Sequence, residues 1–401
     1  MKSILLTISM AATALLSCNG GGTDPNQKTD TLKTQSAQPK DSSVVQTNNN
    51  YNDIAMFLAG YKPTKDSALM GLTKDSIWLK HAKKMNDGFS RIEENRFSKM
   101  RTWRDTELKA ANSSGIKTLY YPFAGPDILN GYILFPNCEN YILVALEPAG
   151  KIKDMPKMKR PDFAKYIYHL DKSMNDIFVR SYFITSAMSS DFSRWSVDGN
   201  LPVMMVFLAR TGNIISDIKR IAIADDGSLK EFNLNQAIPE TYISKGVRID
   251  FVNKEQPSVA KHVYYFSMNM ADEEYQHMFG LDKNKGFLTW INKQGDFISY
   301  MKAASYINHY GFLSNSRKIV FNRSKYHLQD DSGIAYNFFD KKVWKINLYG
   351  QYSHPIRDFG KLYEKDLEIA YKKDSANVKP VPFKLGYHYS SVMNMMLATK
   401  K

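Results

Sequence analysis

Cysteine is nearly absent: only Cys18 and Cys138 occur in 401 residues. That excludes a disulfide-stapled scaffold, and no C-x-x-C pair exists. After residue 20, no apolar run reaches the roughly 18 residues of a membrane-spanning helix, so the chain is not a polytopic membrane protein. Gly (22) and Pro (15) are too few for a collagenous chain, and 43% hydrophobic residues are too many for a wholly disordered one. The catalytic signatures H-E-x-x-H, G-x-S-x-G, G-x-G-x-x-G and the Walker loop are all missing. The eight histidines are scattered without a close pair, so a histidine-rich metal site has no support, and no cofactor is expected. S-x-x-K begins at Ser114, Ser216, Ser258 and Ser299, but without K-T-G it does not indicate penicillin-binding chemistry.

What is present begins at the amino end. Lys2 is followed by a mostly apolar stretch over 4–16, the pattern of a secretory signal and too short for a permanent span. Leu15, Leu16, Ser17 and Cys18 follow and resemble a bacterial lipobox, with Leu16 bulkier than is usual at its place. The resemblance implies cleavage after Ser17 and lipidation of Cys18. Each buried methylene contributes about 0.8 kcal/mol, so several acyl chains on one cysteine make a nearly permanent anchor. Asn19, where an aspartate would signal retention, implies the outer membrane by the same resemblance, with the leaflet left open. Residues 19–50 hold mostly Gly, Ser, Thr, Asn, Gln, Lys and Asp. They read as a disordered tether that spaces the folded part on the order of 30 Å from the bilayer.

The chain carries 54 Lys+Arg against 40 Asp+Glu, net +14, and nearly all of that excess belongs to 51–401. Behind a lipobox, nucleic acid is not an expected partner. Anionic lipid headgroups or acidic polysaccharide are. The cluster Lys151, Lys153, Lys157, Lys159 and Arg160 reads as a solvated loop. Cys138, in an apolar context, reads as structural.

The folded part, 51–401, reads as mixed α/β or α+β, with possible halves at 51–215 and 216–401. Trp78, Ala82, Met85, Phe89 and Ile92 recur at spacings of four and three, so 73–110 is expected to be one long amphipathic helix capped by Thr73. Residues 116–150 read as strand, short helix, apolar strand. That is a βαβ-like unit whose helix opens at Gly125-Pro126-Asp127. Further helices are expected over 161–195, 202–208, 286–315 and 355–372. Strands are expected over 218–224, 326–329 and 343–348, with a hairpin of 247–252 and 262–268 whose long tip lies around Pro257.

One constellation points to a site. If the two strands of 116–150 are parallel, Asp127 and Glu147 both lie just past their carboxyl ends, where α/β sheets bind ligands. Two carboxylates there could do acid/base work or hold a cation. The plainer alternative is a helix cap for Asp127 and a surface ion pair for Glu147. Asp330 and Asp331, in a D-D-S-G turn, and His354 are weaker candidates, each also explained by local structure. Tyr (24) and Phe (22) are abundant and mostly fall at core periodicity.

Three stretches, YYPFAGPDIL (120–129), YILVALEPAG (141–150) and LQDDSGIAYNFF with WKINLYGQYSHPI (328–356), resemble uncharacterised bacterial envelope lipoproteins built around a Y-P-F-x-G-P-D core and a D-D-S-G-I segment. The resemblance implies one family unit over 51–390 and carries no activity. The function expected is that of a lipid-anchored binding or envelope-assembly module. The alternatives are an envelope hydrolase or sugar-processing enzyme using Asp127 and Glu147, and a glycan-binding protein. The last predicts at least two exposed aromatic residues lining one groove.

Overall fold

The computed structural model describes residues 49–183, 197–275 and 277–401. The leader, Cys18 and most of the tether lie outside them; the helix expected over 161–195 ends at Val179, and only 184–195 of that span lie outside the described residues. The fold is mixed α/β.

Among the described residues, ten strands form one sheet. They are β1 (Thr118–Pro122), β2 (Asn140–Ala145), β3 (Asn213–Ile223), β4 (Leu229–Asn233), β5 (Ser244–Asn253), β6 (Gln256–Ser267), β7 (Phe297–Met301), β8 (Ser324–Gln329), β9 (Trp344–Gly350) and β10 (Asn394–Lys400). Their order is β4-β3-β5-β6-β2-β1-β7-β8-β10-β9. The five central strands, β6-β2-β1-β7-β8, are parallel, and antiparallel strands flank them on both sides. The sheet runs through both sequence halves.

Alternation along the strands serves two cores. Leu119, Tyr121, Tyr141 and Leu143 face one helical layer, while Tyr120, Ile142 and Val144 face the other. Both faces of the parallel strands are therefore apolar, as parallel sheets require. The first layer holds α1 (Asn49–Leu58), α2 (Ser67–Leu72), α3 (Ser76–Ile92), α4 (Ser98–Glu107), α5 (Lys109–Asn112), α6 (Ile128–Leu134), α7 (Arg160–Val179) and α8 (Leu201–Arg210). Residues Leu201 to Ala209 of α8 are all buried, which explains why that helix is apolar on every side. The second layer holds α9 (Lys285–Asn292), α10 (Ser314–Arg323) and α11 (Lys365–Lys373). Among the described residues no helix is long and apolar enough to cross a membrane.

The helix expected over 73–110 is interrupted. Asp75, not Thr73, is the cap: its carboxylate accepts from Ile77 N–H at 2.8 Å, and Thr73 ends α2 instead. A π-helical turn, Glu93–Phe97, then separates α3 from α4. It turns Arg96 inward, where the guanidinium donates to Ile177 O at 3.0 Å and Val179 O at 3.4 Å, capping the carbonyls that end α7. Burial pulls the pKa of Arg96 down to about 10, with Asp127 opposing.

The βαβ unit forms as expected, with Thr118 to Pro122 in parallel register with Asn140 to Val144. The β5–β6 hairpin forms too, but its tip is tight, with Asn253 opposite Gln256 and Pro257 inside β6. Residues 286–315 are not all helical, because β7 lies within them. In the last expected helix, Arg357–Leu362 is 3-10 helix and only Lys365–Lys373 is α-helix. Cys138 is buried and unpaired, and burial pushes its thiol up to about 12.

Candidate functional site

Numbered among themselves, the five parallel strands run 3-2-1-4-5. The chain leaves β1 toward β2 on one side and continues through β7 on the other. The order therefore reverses between β1 and β7, and the crevice at their carboxyl ends is where such sheets bind ligands. Here the protein's own ion pair fills that position. Asp127 caps α6: its Oδ1 accepts from Asn130 N at 3.1 Å and Asn130 Nδ2 at 2.9 Å. Its Oδ2 accepts from Tyr121 Oη at 2.9 Å and lies 2.8 Å from Lys302 Nζ. Lys302, the first residue after β7, also donates to Ser181 O at 2.5 Å. Asp127 is 2% exposed and Lys302 3%, so both charges are withdrawn from solvent and satisfied within the fold.

The network continues to the end of β8. Asp330 Oδ2 accepts from Ala303 N at 2.9 Å, and Oδ1 accepts from Ser332 N at 3.0 Å. Burial, and then the adjacent Asp331, raise the Asp330 carboxyl. Asp331 receives His388 Nε2 at 2.6 Å and Tyr306 Oη at 2.7 Å, and its backbone N–H donates to Asn394 Oδ1 at 2.8 Å. Burial disfavours charge on His388, but the bond to Asp331 outweighs it and holds the imidazole above its ordinary pKa. Glu364 borders the same cluster with its carboxyl pushed up to about 8, chiefly by burial. The void between Asp330, Asp331 and Glu364 is only about 10 Å³, large enough for a water molecule at most.

This edge is also where the backbone is strained. Among the described residues, non-glycine positive φ occurs at Phe123, Ser181, Asp198, His277, Ala303, Ser305 and Tyr306. Phe123 follows β1, Ser181 accepts from Lys302, and Ala303, Ser305 and Tyr306 follow β7. Each such residue costs on the order of 1–3 kcal/mol and persists only where its surroundings hold it. The buried network supplies those surroundings.

Asp127 and Glu147 therefore both lie past strand ends, as expected, but no bond joins them. Asp127 is committed on the β7 side. Glu147 follows β2 on the β6 side, where its backbone carbonyl accepts from Tyr265 Oη at 2.5 Å. Its carboxyl is raised by burial. Asp330 and Asp331 belong to the network, whereas His354 is exposed, bonded to Ser353 at 2.7 Å. Lys302, Tyr306, Glu364 and His388 were not singled out from sequence. Lys302 was within reach, since reading FISYM (297–301) as a strand puts it at a carboxyl end. Nothing in the sequence marks His388.

Beside the plugged crevice lies an open groove of about 600 Å³, at the carboxyl ends of β2 and β6 and against β3 and β5. Lys151, Arg220, Tyr242, Lys245, His277 and Phe279 are among its lining. Phe279 is 53% exposed, and Tyr242 is half-buried against Phe232. Arg220 is oriented by a bond from its Nε to Leu234 O at 2.7 Å. Lys245 pairs with the exposed Glu240 at 2.9 Å, and Asp198 pairs with Lys153 at 3.4 Å. The floor depends on Gly150: a Cβ there would sit 1.5 Å from Asp198 O, and its φ is +77°. The groove can thus stack a ring against aromatic faces and pair with negative charge.

Among the described residues, no group of three His, Cys, Asp or Glu is placed to hold a metal ion. No protein-family model, no curated protein and no solved structure matches this chain.

Proposed function

We propose that the chain is a lipid-anchored envelope protein whose folded part is a binding module, and that its groove at the ends of β2 and β6 takes an anionic glycan. One observation carries the reading. Two partly exposed aromatic residues, Tyr242 and Phe279, share a single groove with Arg220, Lys151 and Lys245. The crevice that would serve a nucleotide-type ligand in such a sheet is occupied by Asp127 and Lys302, whereas the groove on the same edge is open. Anchoring through Cys18 would hold that groove within reach of envelope polysaccharide.

The test is calorimetry with a uronate oligosaccharide, a neutral oligosaccharide of equal length and vesicles of anionic phospholipid. The reading expects the uronate to bind, and Phe279→Ala and Arg220→Ala each to weaken it about tenfold or more. Preference for the vesicles, or equal binding of the neutral sugar, would replace it.

A hydrolytic reading rests on a different observation. Ser391 is exposed, and its Oγ lies 3.3 Å from His388 Nδ1, while His388 Nε2 is bonded to Asp331. Hydroxyl, imidazole and carboxylate in sequence are the parts of an activated nucleophile. The raised pKa of His388 works against its use as a base. A fluorophosphonate probe that leaves Ser391 unlabelled would end this reading.

A further inference from the structure

On the opposite edge, at the amino ends of β2 and β3, a second pocket of about 330 Å³ opens between α3, α4, α6 and the end of α8. Three guanidinium groups line it, from Arg101, Arg104 and Arg210, together with Tyr61, Phe89 and Tyr132. Glu93 is the single carboxylate in the wall among the described residues. The π-helical turn Glu93–Phe97 forms part of that wall. Such a turn changes which faces of the flanking segments point inward, and it is often found at functional sites.

The three arginines are held in different ways. Arg101 pairs with Glu93. Arg104 donates to Ile133 O at 3.0 Å and to Asp105 at 2.7 Å. Arg210, which ends α8, has no carboxylate partner among the described residues. Its terminal nitrogen donates to Asn86 Oδ1 at 2.8 Å. Its guanidinium carbon lies 4.1 Å from the centre of the Tyr61 ring and 4.8 Å from that of Phe89. Its Nε is buried and has no hydrogen-bond partner among the described residues. A buried donor left unmatched is costly in a folded protein and calls for an explanation. Three guanidinium groups against two carboxylates, Glu93 and Asp105, leave an excess positive charge over aromatic walls, and a planar oxyanion matches a guanidinium fork bidentately.

We propose that this pocket binds a small organic oxyanion, a carboxylate or phosphate monoester carried on an apolar or aromatic body. The anion sits against Arg210 and Arg104, and the body lies along Tyr61, Phe89 and Tyr132. The site is independent of the groove on the other edge, so either can fail without the other.

The experiment is titration calorimetry on the full chain in detergent, with phenyl phosphate, benzoate, inorganic phosphate and benzyl alcohol as probes. Binding of phenyl phosphate or benzoate is expected, weakening as salt is raised, with benzyl alcohol inert. Arg210→Met is expected to lower the affinity about tenfold or more, and Arg210→Lys to recover only part of it. Arg101→Gln, at a half-buried position, tests the charge even if Arg210→Met does not fold, and a drop of about threefold or more is expected. The groove variant Phe279→Ala is expected to leave this binding unchanged. Absence of binding by both aryl anions up to about 10 mM, binding of benzyl alcohol as tight as that of benzoate, or unaltered affinity in Arg101→Gln would each overturn the proposal. Inorganic phosphate binding as tightly as phenyl phosphate would overturn the role of the aromatic wall.

Discussion

Lys302 Nζ lies 2.8 Å from Asp127 Oδ2, and neither side chain is more than 3% exposed. The pair ties the loop after β1 to the loop after β7 across the point where strand order reverses. Removing one partner leaves the other charged, buried and alone, which typically costs about 3–5 kcal/mol. Lys302→Met and Asp127→Asn are each expected to lower stability on that order in urea titrations. The double variant is expected to lose less than the sum of the two. Strict additivity would show that the pair is not coupled.

Stability should fall as pH rises from mildly acid to alkaline. The Glu364 carboxyl is raised from 4.5 to about 8. The folded state therefore holds a proton that the unfolded state has released, and the stabilisation present below about 4.5 is lost as pH climbs through about 8. His388 acts with the same sign, since its raised pKa gives stability that is complete below the ordinary histidine value and lost above the folded one. Glu364→Gln is expected to flatten the profile and to gain relative to the parent above pH 8. A profile identical in both proteins would contradict the assignment.

Gly150→Ala should be among the most damaging single-methyl additions. It forces a Cβ to within 1.5 Å of Asp198 O at a φ of +77°. A loss of about 2–4 kcal/mol is expected in thermal or chemical unfolding, together with weaker glycan binding, because the same contact floors the groove. Unchanged stability would mean that the two loops do not meet as described.

The proposed anchor has its own test. Mass spectrometry of the native protein is expected to show a mature start at Cys18 carrying acyl chains. Cys18→Ser is expected to move the protein from the detergent phase to the aqueous phase. A native start without acyl mass would remove the envelope setting.

The sequence revealed the parallel centre of the sheet because that region is locally coded. IKTLYYPF (116–123) and YILVAL (141–146) are apolar on both faces, and Gly125, Pro126 and Asp127 mark a helix start between them. It also placed Asp127 and Glu147 at the correct edge. It did not reveal β7 or β10, which are short, polar-flanked or methionine-rich and gain their identity from neighbours far away in sequence. The partner of Asp127 was hidden for that reason: Lys302 meets it only when β7 lies beside β1. The break in the helix over 73–110 is a tertiary effect too, since Arg96 turns inward to reach carbonyls at the end of α7. His388 becomes special only beside Asp331, a juxtaposition that no local pattern announces.

The placement of β10 between β8 and β9 has a kinetic consequence. Gly350 is bonded in register with Asn394, and among the described residues β9 has no strand neighbour other than β10. The segment 344–350 must therefore wait, unpaired, until a stretch some forty residues later arrives to bridge it to the rest. Likewise β2 finds β6 only after the whole β3–β5 excursion has been threaded out. Assembly is governed by such distant closures, so it is expected to be slow relative to helix formation, and the exposed edge of β8 is the place where an interrupted chain would first stick to another.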